Sequence, residues 1–382
     1  MRVDSLPLVR QLWQDHRDRL ALAGLVAAFL GLFALTSALT AAYRSKEESL
    51  AEDWYEKGVR ALDAREPEQA ISDFRNALAW SRNNPAYQLR LAQALLASGR
   101  GEDAGAYLLT LRRREPGHGL VNLELARLAA RAGHVQEAHR YYHDAIYGVW
   151  ESDVPSWRRR ARLELVEFLL GQGERAEAGA ELRPLAQDLP PDAAAHAEVG
   201  RLFLRAGDPT RALAQFKGAL EIEAGNAQAL AGATEAAFAL GRYPAVVEYG
   251  ERALRREPRS ADLSSRVETA RQVLALDPAR ARLSGAERGR RVRRVFDVAL
   301  AELDRCAAGA TPSPELAGLL RRAHDLRPRL RPPALQRDLE LREGAFDLAL
   351  EAVRLASRAC GEPAAPAPRA VLLLAGRNGT GG

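Results

Sequence analysis

Along the middle of the chain, apolar and small residues recur at intervals of three and four, in paired blocks. In one pair, Leu91, Ala92 and Leu95 mark a first face, and Ala104, Leu108 and Leu111 mark a second. Gly99 lies between the blocks and Pro116 closes the pair. Leu125, Ala126 and Ala129, then Ala138, Tyr142 and Ala145, repeat the arrangement around Gly133. Val199, Gly200 and Phe203, then Ala212, Phe216 and Ala219, repeat it around Gly207. Such spacing puts each block on one side of an α-helix, so every pair is predicted as two helices joined by a turn. The glycine stands where the first helix ends in a left-handed residue.

A small residue follows five places after each turn glycine: Gly99–Ala104, Gly133–Ala138, Gly173–Ala178 and Gly207–Ala212. The rung recurs as Gly241–Val246, and a first copy ends at Ala70 with Arg65 in the glycine place. The steps between small residues are 34, 34, 40, 34 and 34. A period of that length indicates a repeat array whose copies each lean on their neighbours. The longer step adds residues in 147–157, which contain Trp150 and Trp157. Two readings stand for that insertion: a lengthened loop with both tryptophans packed into the seam, or an aromatic contact site.

This pattern resembles the tetratricopeptide repeats, whose helix–turn–helix unit carries Trp, Leu-Gly, Tyr, Ala, Phe, Ala and Pro at fixed offsets. The first copy matches with Trp54, Gly58, Ala70, Phe74 and Ala77, and its proline arrives late as Pro85. Pro116, Pro190 and Pro258 hold the closing position in later copies; Lys57, Trp150, Ala224, Val246 and Gly250 depart from the pattern. The resemblance covers 51–258 and implies a right-handed superhelix whose first helices line a groove for peptides or proteins, without catalysis. The groove-facing offsets that the family implies fall on Tyr55, Leu89, Gln93, Leu123, Arg127, Arg131, Leu163, Glu167, Arg201, Arg205 and Glu235. Leucines flanked by Arg127, Arg131 and Arg201 would suit an extended or helical segment with apolar anchors and acidic groups. The opposing reading packs those leucines between repeats and leaves the arginines solvated. The Lys and Asn of the family's carboxylate clamp are missing at the matching positions, so a chaperone's C-terminal tail is not the expected ligand.

From Leu20 to Ala42 no residue is charged. As a helix this stretch is roughly 34 Å long, enough for a hydrocarbon core of about 30 Å. It is too long for the apolar region of a cleaved signal, and a polar lead over 1–19 precedes it. A transmembrane anchor over 20–42 is therefore expected. Arg2, Arg10, Arg17 and Arg19 precede it and only Arg44 and Lys46 follow closely, which favours a cytoplasmic N-terminus and an extracytoplasmic, periplasmic solenoid.

Beyond the repeats, Ala261 to Leu276 fits a solvating helix. Longer helices are expected near 281–307 and 334–360, with a shorter one over 314–326. Val292, Phe296, Ala299, Leu303 and Cys306 form one apolar stripe; Phe346, Ala349, Val353, Ala356 and Cys360 form another. Each cysteine ends its stripe. Parallel packing of the two helices would bring Cys306 and Cys360 together as a disulfide, which needs an oxidising compartment; the alternative is two unpaired buried thiols.

Composition changes this picture little. Net charge is +5, with arginine supplying nearly all the positive charge and 50 acidic residues interspersed. No nucleic-acid partner is expected from that balance. The densest basic run, Arg280, Arg282, Arg288, Arg290, Arg291, Arg293 and Arg294, could meet lipid headgroups or nucleic acid, or form a solvated face. No phosphate loop, dinucleotide fingerprint, C-x-x-C or H-E-x-x-H occurs. His139 and His143 share a helical face, but no further metal ligand is evident. Neither a cofactor nor a metal is expected, and no enzymatic activity.

The expected fold class is all-α. A lead (1–19) and one N-terminal transmembrane helix (20–42) precede a right-handed tetratricopeptide-type solenoid (51–278). A small C-terminal helical bundle (279–360) and a flexible tail (361–382) follow. The function that fits is a membrane-anchored scaffold binding partner segments in the groove. The alternative is a regulatory or assembly subunit whose basic C-terminal helices contact lipid headgroups or nucleic acid.

Overall fold

The computed structural model describes the backbone of residues 6–309 and 313–378, and the side chains of 25–26, 28–308 and 313–376. Two compact units divide it, 1–162 and 163–382. Helix α1 (Leu6–Asp63) opens the first unit and pairs with α2 (Pro67–Trp80). Next come α3 (Pro85–Ala97) with α4 (Gly101–Arg114), and α5 (Gly119–Arg131) with α6 (Val135–Ile146). Helix α7 (Val154–Gln172) crosses the boundary between units. The second unit continues with α8 (Arg175–Gln187), α9 (Ala193–Arg205), α10 (Pro209–Ile222), α11 (Ala227–Ala239), α12 (Tyr243–Arg256) and α13 (Ala261–Leu276). It ends with α14 (Gly285–Gly309), α15 (Pro314–Leu326), α16 (Pro332–Arg337), α17 (Leu339–Cys360) and α18 (Pro366–Asn378). The described residues form no β-strand, so the fold is all-α.

The same turn joins the helices of every pair. Gly99, Gly133, Gly173, Gly207 and Gly241 have φ of 81°, 74°, 82°, 82° and 65°. Arg65, in the glycine place of the first copy, adopts φ 62° as well. At Gly207 the N–H bonds Leu204 O at 3.0 Å, and the N–H of Asp208 bonds Phe203 O at 2.9 Å. Arg65 repeats this with Leu62 O at 3.0 Å, and Glu66 with Ala61 O at 2.9 Å. These two bonds satisfy carbonyls that a helix end otherwise leaves open.

The residue after the turn then starts the second helix, accepting from the small rung residue: Ala70 N–H to Glu66 O, and Ala212 N–H to Asp208 O. Ala70, Ala104, Ala138, Ala178, Ala212 and Val246 are all fully buried, because the paired helices cross there. Glycines bring the crossing closer still. A Cβ on Gly58 would lie 2.6 Å from Phe74, and one on Gly232 would lie 2.2 Å from Phe216.

Three expectations change. The anchor over 20–42 is not a separate element but part of α1, which runs unbroken into the first repeat. Among the described residues no helix is long and apolar enough to cross a membrane. The side chains of 20–24 and 27 lie outside the description; from Leu25 to Leu39, the described large apolar side chains are exposed. The helix expected over 334–360 is broken at Asp338, whose carboxylate accepts from Leu341 N–H at 2.9 Å and caps a new helix. The tail expected to be flexible over 361–382 instead contains α18, because Ala370, Val371, Leu374 and Ala375 find an apolar surface.

In the second unit α14 and α17 pack along their apolar stripes. Cys306 and Cys360 meet at their C-terminal ends as a disulfide with Cα atoms 5.8 Å apart.

The left-handed turns make a prediction about stability. A non-glycine residue at positive φ costs about 1 kcal/mol from Cβ crowding alone. Arg65→Gly should therefore raise stability by about 1 kcal/mol. Gly207→Ala, with open space around the new methyl, should lower it by about the same amount. Urea unfolding midpoints of the two variants against the parent check both signs.

Candidate functional site

The first unit holds a cleft of about 370 Å³. Its floor comes from Tyr55 on α1 and Leu89 on α3, with Leu120 and Val121 from the start of α5. Trp150 and Trp157 wall it, and Arg90, Arg114, Glu115 and Glu151 stand around the rim.

The tryptophan wall is built by the six-residue excess in the repeat. After α6 the chain runs extended and pairs with the α4–α5 turn: Gly119 N–H bonds Val149 O, and Val149 N–H bonds Gly117 O, both at 2.8 Å. Asn122, fully buried, holds that turn by donating to Pro116 O at 2.7 Å and His118 O at 3.1 Å. Arg112 donates to Asn122 Oδ1 at 3.0 Å and to Asp144 at 2.7 Å, tying the turn to α6. Trp150 lies over Gly119, where a Cβ would come within 2.4 Å of the ring. Its indole N–H reaches Ala145 O at 3.0 Å. Trp157 stacks on it with ring centres 5.1 Å apart and planes 5° from parallel. Asp153, at φ 44°, makes the turn between them.

Behind the floor, Tyr55 is held by other rings. Tyr55 stacks on Tyr87 with centroids 4.8 Å apart and meets Phe74 at 5.8 Å. Tyr87 is buried and donates its hydroxyl proton to Glu52 Oε2 at 2.8 Å, which fastens α3 to α1. Burial first, then the Glu52 carboxylate, push the Tyr87 phenol from 10.0 up to about 12.

The residues expected to line a groove divide between the units. Within the first, Tyr55 and Leu89 meet in the cleft. Leu123 is fully buried in the core. Gln93 and Arg127 both reach Glu124, at 3.5 Å and 3.0 Å, and that carboxylate is itself nearly buried. Arg131 lies elsewhere, on an apolar depression of about 630 Å³ beside Leu109, Leu125 and Leu128. Within the second unit, Leu163 is half-buried and Glu235 exposed. Arg201 and Arg205 both turn onto Glu167, the first at 3.7 Å.

Sequence reasoning left Pro85, Arg90, Arg114 and Glu115 out of the site. The signal that could have found them was the lengthened step, since an insertion between repeats must lie against the turns flanking it.

The basic run of the second unit is largely spent on its own neighbours. Arg290, Arg291 and Arg294 turn onto Glu287, and Arg293 onto Asp297. Arg291 also donates to the carbonyls of Leu274 and Asp277, and Arg280 to Leu274. Hydrogen bonds from Arg290 and Arg291 hold the Glu287 carboxyl below its ordinary value. The His139 and His143 rings lie 4.8 Å apart, tilted by 45°, and among the described residues no group of three His, Cys, Asp or Glu is placed to hold a metal.

Residues 61–118 match the tetratricopeptide repeat family. That segment runs from the end of α1 into the turn beneath Trp150, and so includes Leu89 and half of the residues that line the cleft, but not Tyr55, Leu120 or Val121 of its floor. No match is found among curated proteins. Among solved structures, PilF of Pseudomonas aeruginosa is 16% identical with a TM-score of 0.42, over 57% of this chain and 97% of that one. PilW, described as a widely conserved type IV pilus biogenesis factor, is 20% identical with a TM-score of 0.41, over 56% and 97%. YrrB, described as a repeat protein of this family with an unusual peptide-binding site, is 17% identical with a TM-score of 0.36, over 50% and 95%. Likeness of that degree does not extend to partners.

The Tyr87 phenol, packed behind Tyr55, gives the first unit a pH signature. A phenol whose folded value is raised contributes stability that is intact below pH 10.0 and is lost as pH climbs to about 12. The Tyr87→Phe variant should lose about 1 kcal/mol at neutral pH. It should also lack the Tyr87 share of the alkaline decline. Unfolding midpoints from pH 8 to 12, parent against variant, measure both effects.

Proposed function

We propose that this chain is a membrane-anchored scaffold that captures a segment of a partner protein in the cleft of its first unit. The observation that carries this is the aromatic chamber between Tyr55, Leu89 and the stacked Trp150–Trp157 pair. A cleft of about 370 Å³ has room for one or two anchoring side chains of a partner segment. The tetratricopeptide repeat match over 61–118, which supplies Leu89 to the cleft, supports protein binding over catalysis. With both arginines and glutamates on the rim, the partner segment carries apolar anchors between charges of both signs.

The anchor is the segment 20–42 of α1. Its described part exposes Phe29, Leu30, Leu32, Phe33, Leu35 and Leu39, spread over much of the helix circumference, which suits lipid better than water. The basic lead favours a cytoplasmic N-terminus, which puts the repeats on the extracytoplasmic side. The Cys306–Cys360 bridge supports the same side, since disulfides persist in oxidising compartments. Anchoring raises the local concentration of whatever the cleft holds at the membrane.

Selection of displayed random peptides on the purified chain tests the cleft. Enriched peptides should bind at least about tenfold more weakly to Trp157→Ala and to Leu89→Asp, a loss of about 1.4 kcal/mol or more. Binders indifferent to both changes would move the site elsewhere. Protease added outside intact cells whose outer barrier has been opened should digest the repeats; full protection of the repeats would reverse the proposed orientation.

A further inference from the structure

The second unit holds a site that the cleft does not explain. Helix α13 packs on α12 through Val267, which lies against Gly250. At about 100° per residue, Thr269, Val273 and Leu276 fall on the opposite side of α13. A last helix of an array would expose that side, yet all three residues are buried. Helix α18 covers it, packing on α13, α14 and α17.

The seat is specific in its chemistry. Ala370, Val371, Leu374 and Ala375 form the buried stripe of α18. Arg369, just before the stripe, lies over the Phe238 ring at 5.9 Å, and Arg266 of α13 lies over the same ring at 5.7 Å. Arg354 of α17 donates to the carbonyl of Ala375 and caps the end of α18. Only residues 361–365 tether α18 to α17, beginning at Gly361 with φ 87°. At 13 residues α18 is too short to hold a helix alone in water, so its order depends on the seat. Thr269 Oγ1 is buried on that side without a hydrogen-bond partner, so α18 leaves one polar group of the seat unanswered.

We propose that this side of α13, with Phe238 of α11, is a helix-binding surface and that α18 is its resident, displaceable occupant. The external ligand is an amphipathic helix of a partner protein. It carries small and branched apolar residues at the spacing of Ala370, Val371, Leu374 and Ala375, with an arginine before them. A hydroxyl or amide placed to meet Thr269 would give it an advantage over α18. While α18 is seated, its short tether keeps its effective concentration far above that of a free competitor, and the surface stays closed. This surface is independent of the cleft in the first unit.

The test uses the full chain and a fluorescein-labelled peptide of residues 364–378. The parent should bind the peptide weakly. Leu374→Asp, which ejects α18, should bind it at least about tenfold more tightly in anisotropy titrations. Arg354→Ala removes only the cap and should give a smaller gain in the same direction, so the proposal stays testable if Leu374→Asp fails to fold. Adding Phe238→Ala to either variant should abolish the gain, whereas Trp157→Ala should leave it unchanged. Folded variants with the disulfide intact that bind no better than the parent would overturn the proposal, as would a parent that binds as tightly as the variants.

Discussion

Everything in the repeat region depends on one local constraint: a helix ended by a left-handed residue whose two backbone bonds start the next helix at once. Five glycines and Arg65 adopt it. Because the turn is so short, the paired helices must cross near their junction. A fully buried alanine or valine five residues later is the consequence. Side-chain volume is then excluded at the crossing, and the large residues, Phe74 and Phe216 among them, fill the space beside Gly58, Gly200 and Gly232. The repeat period is the chain length needed to make this turn, run a second helix, and return.

The cleft exists because that regularity fails once. Extra residues between α6 and α7 cannot join a helix pair without spoiling its crossing. They lie out as an extended segment hydrogen-bonded to the α4–α5 turn. Gly119 lets Trp150 lie flat on the turn, and Trp157 stacks on Trp150. A scaffold of uniform repeats thus acquires a walled chamber at one place, with a floor made by residues at regular offsets, Tyr55 and Leu89.

What was legible in the sequence follows the range of the interactions involved. Periods of three and four, turn glycines and the small rung residues are local, and they placed the helix pairs of the array, the Arg65 turn included. For the leucines the sequence left two readings open, groove or core, and both occur: Leu89 is half-buried in the cleft, whereas Leu123 at the same offset of the next copy is covered. The fates of Arg127, Arg201 and Arg205 depended on Glu124 and Glu167, whose geometry only packing decides. Asp338 was a readable cap that the apolar stripe obscured. The six-residue apolar piece of α18 was visible as a segment able to dock, but its seat on α13 required knowing which side of that helix had no next repeat to cover it.

If the cleft captures a partner segment, contact must be made by Leu89 and Trp157 in the living cell. Photo-cross-linking amino acids placed at positions 89 and 157 test this most directly, with position 235, exposed in the other unit, as the comparison. The account predicts that adducts from 89 and 157 map to one short stretch of the same partner protein, and that position 235 does not reach that stretch. Adducts to that stretch from position 235 alone, with none from the cleft, would contradict it.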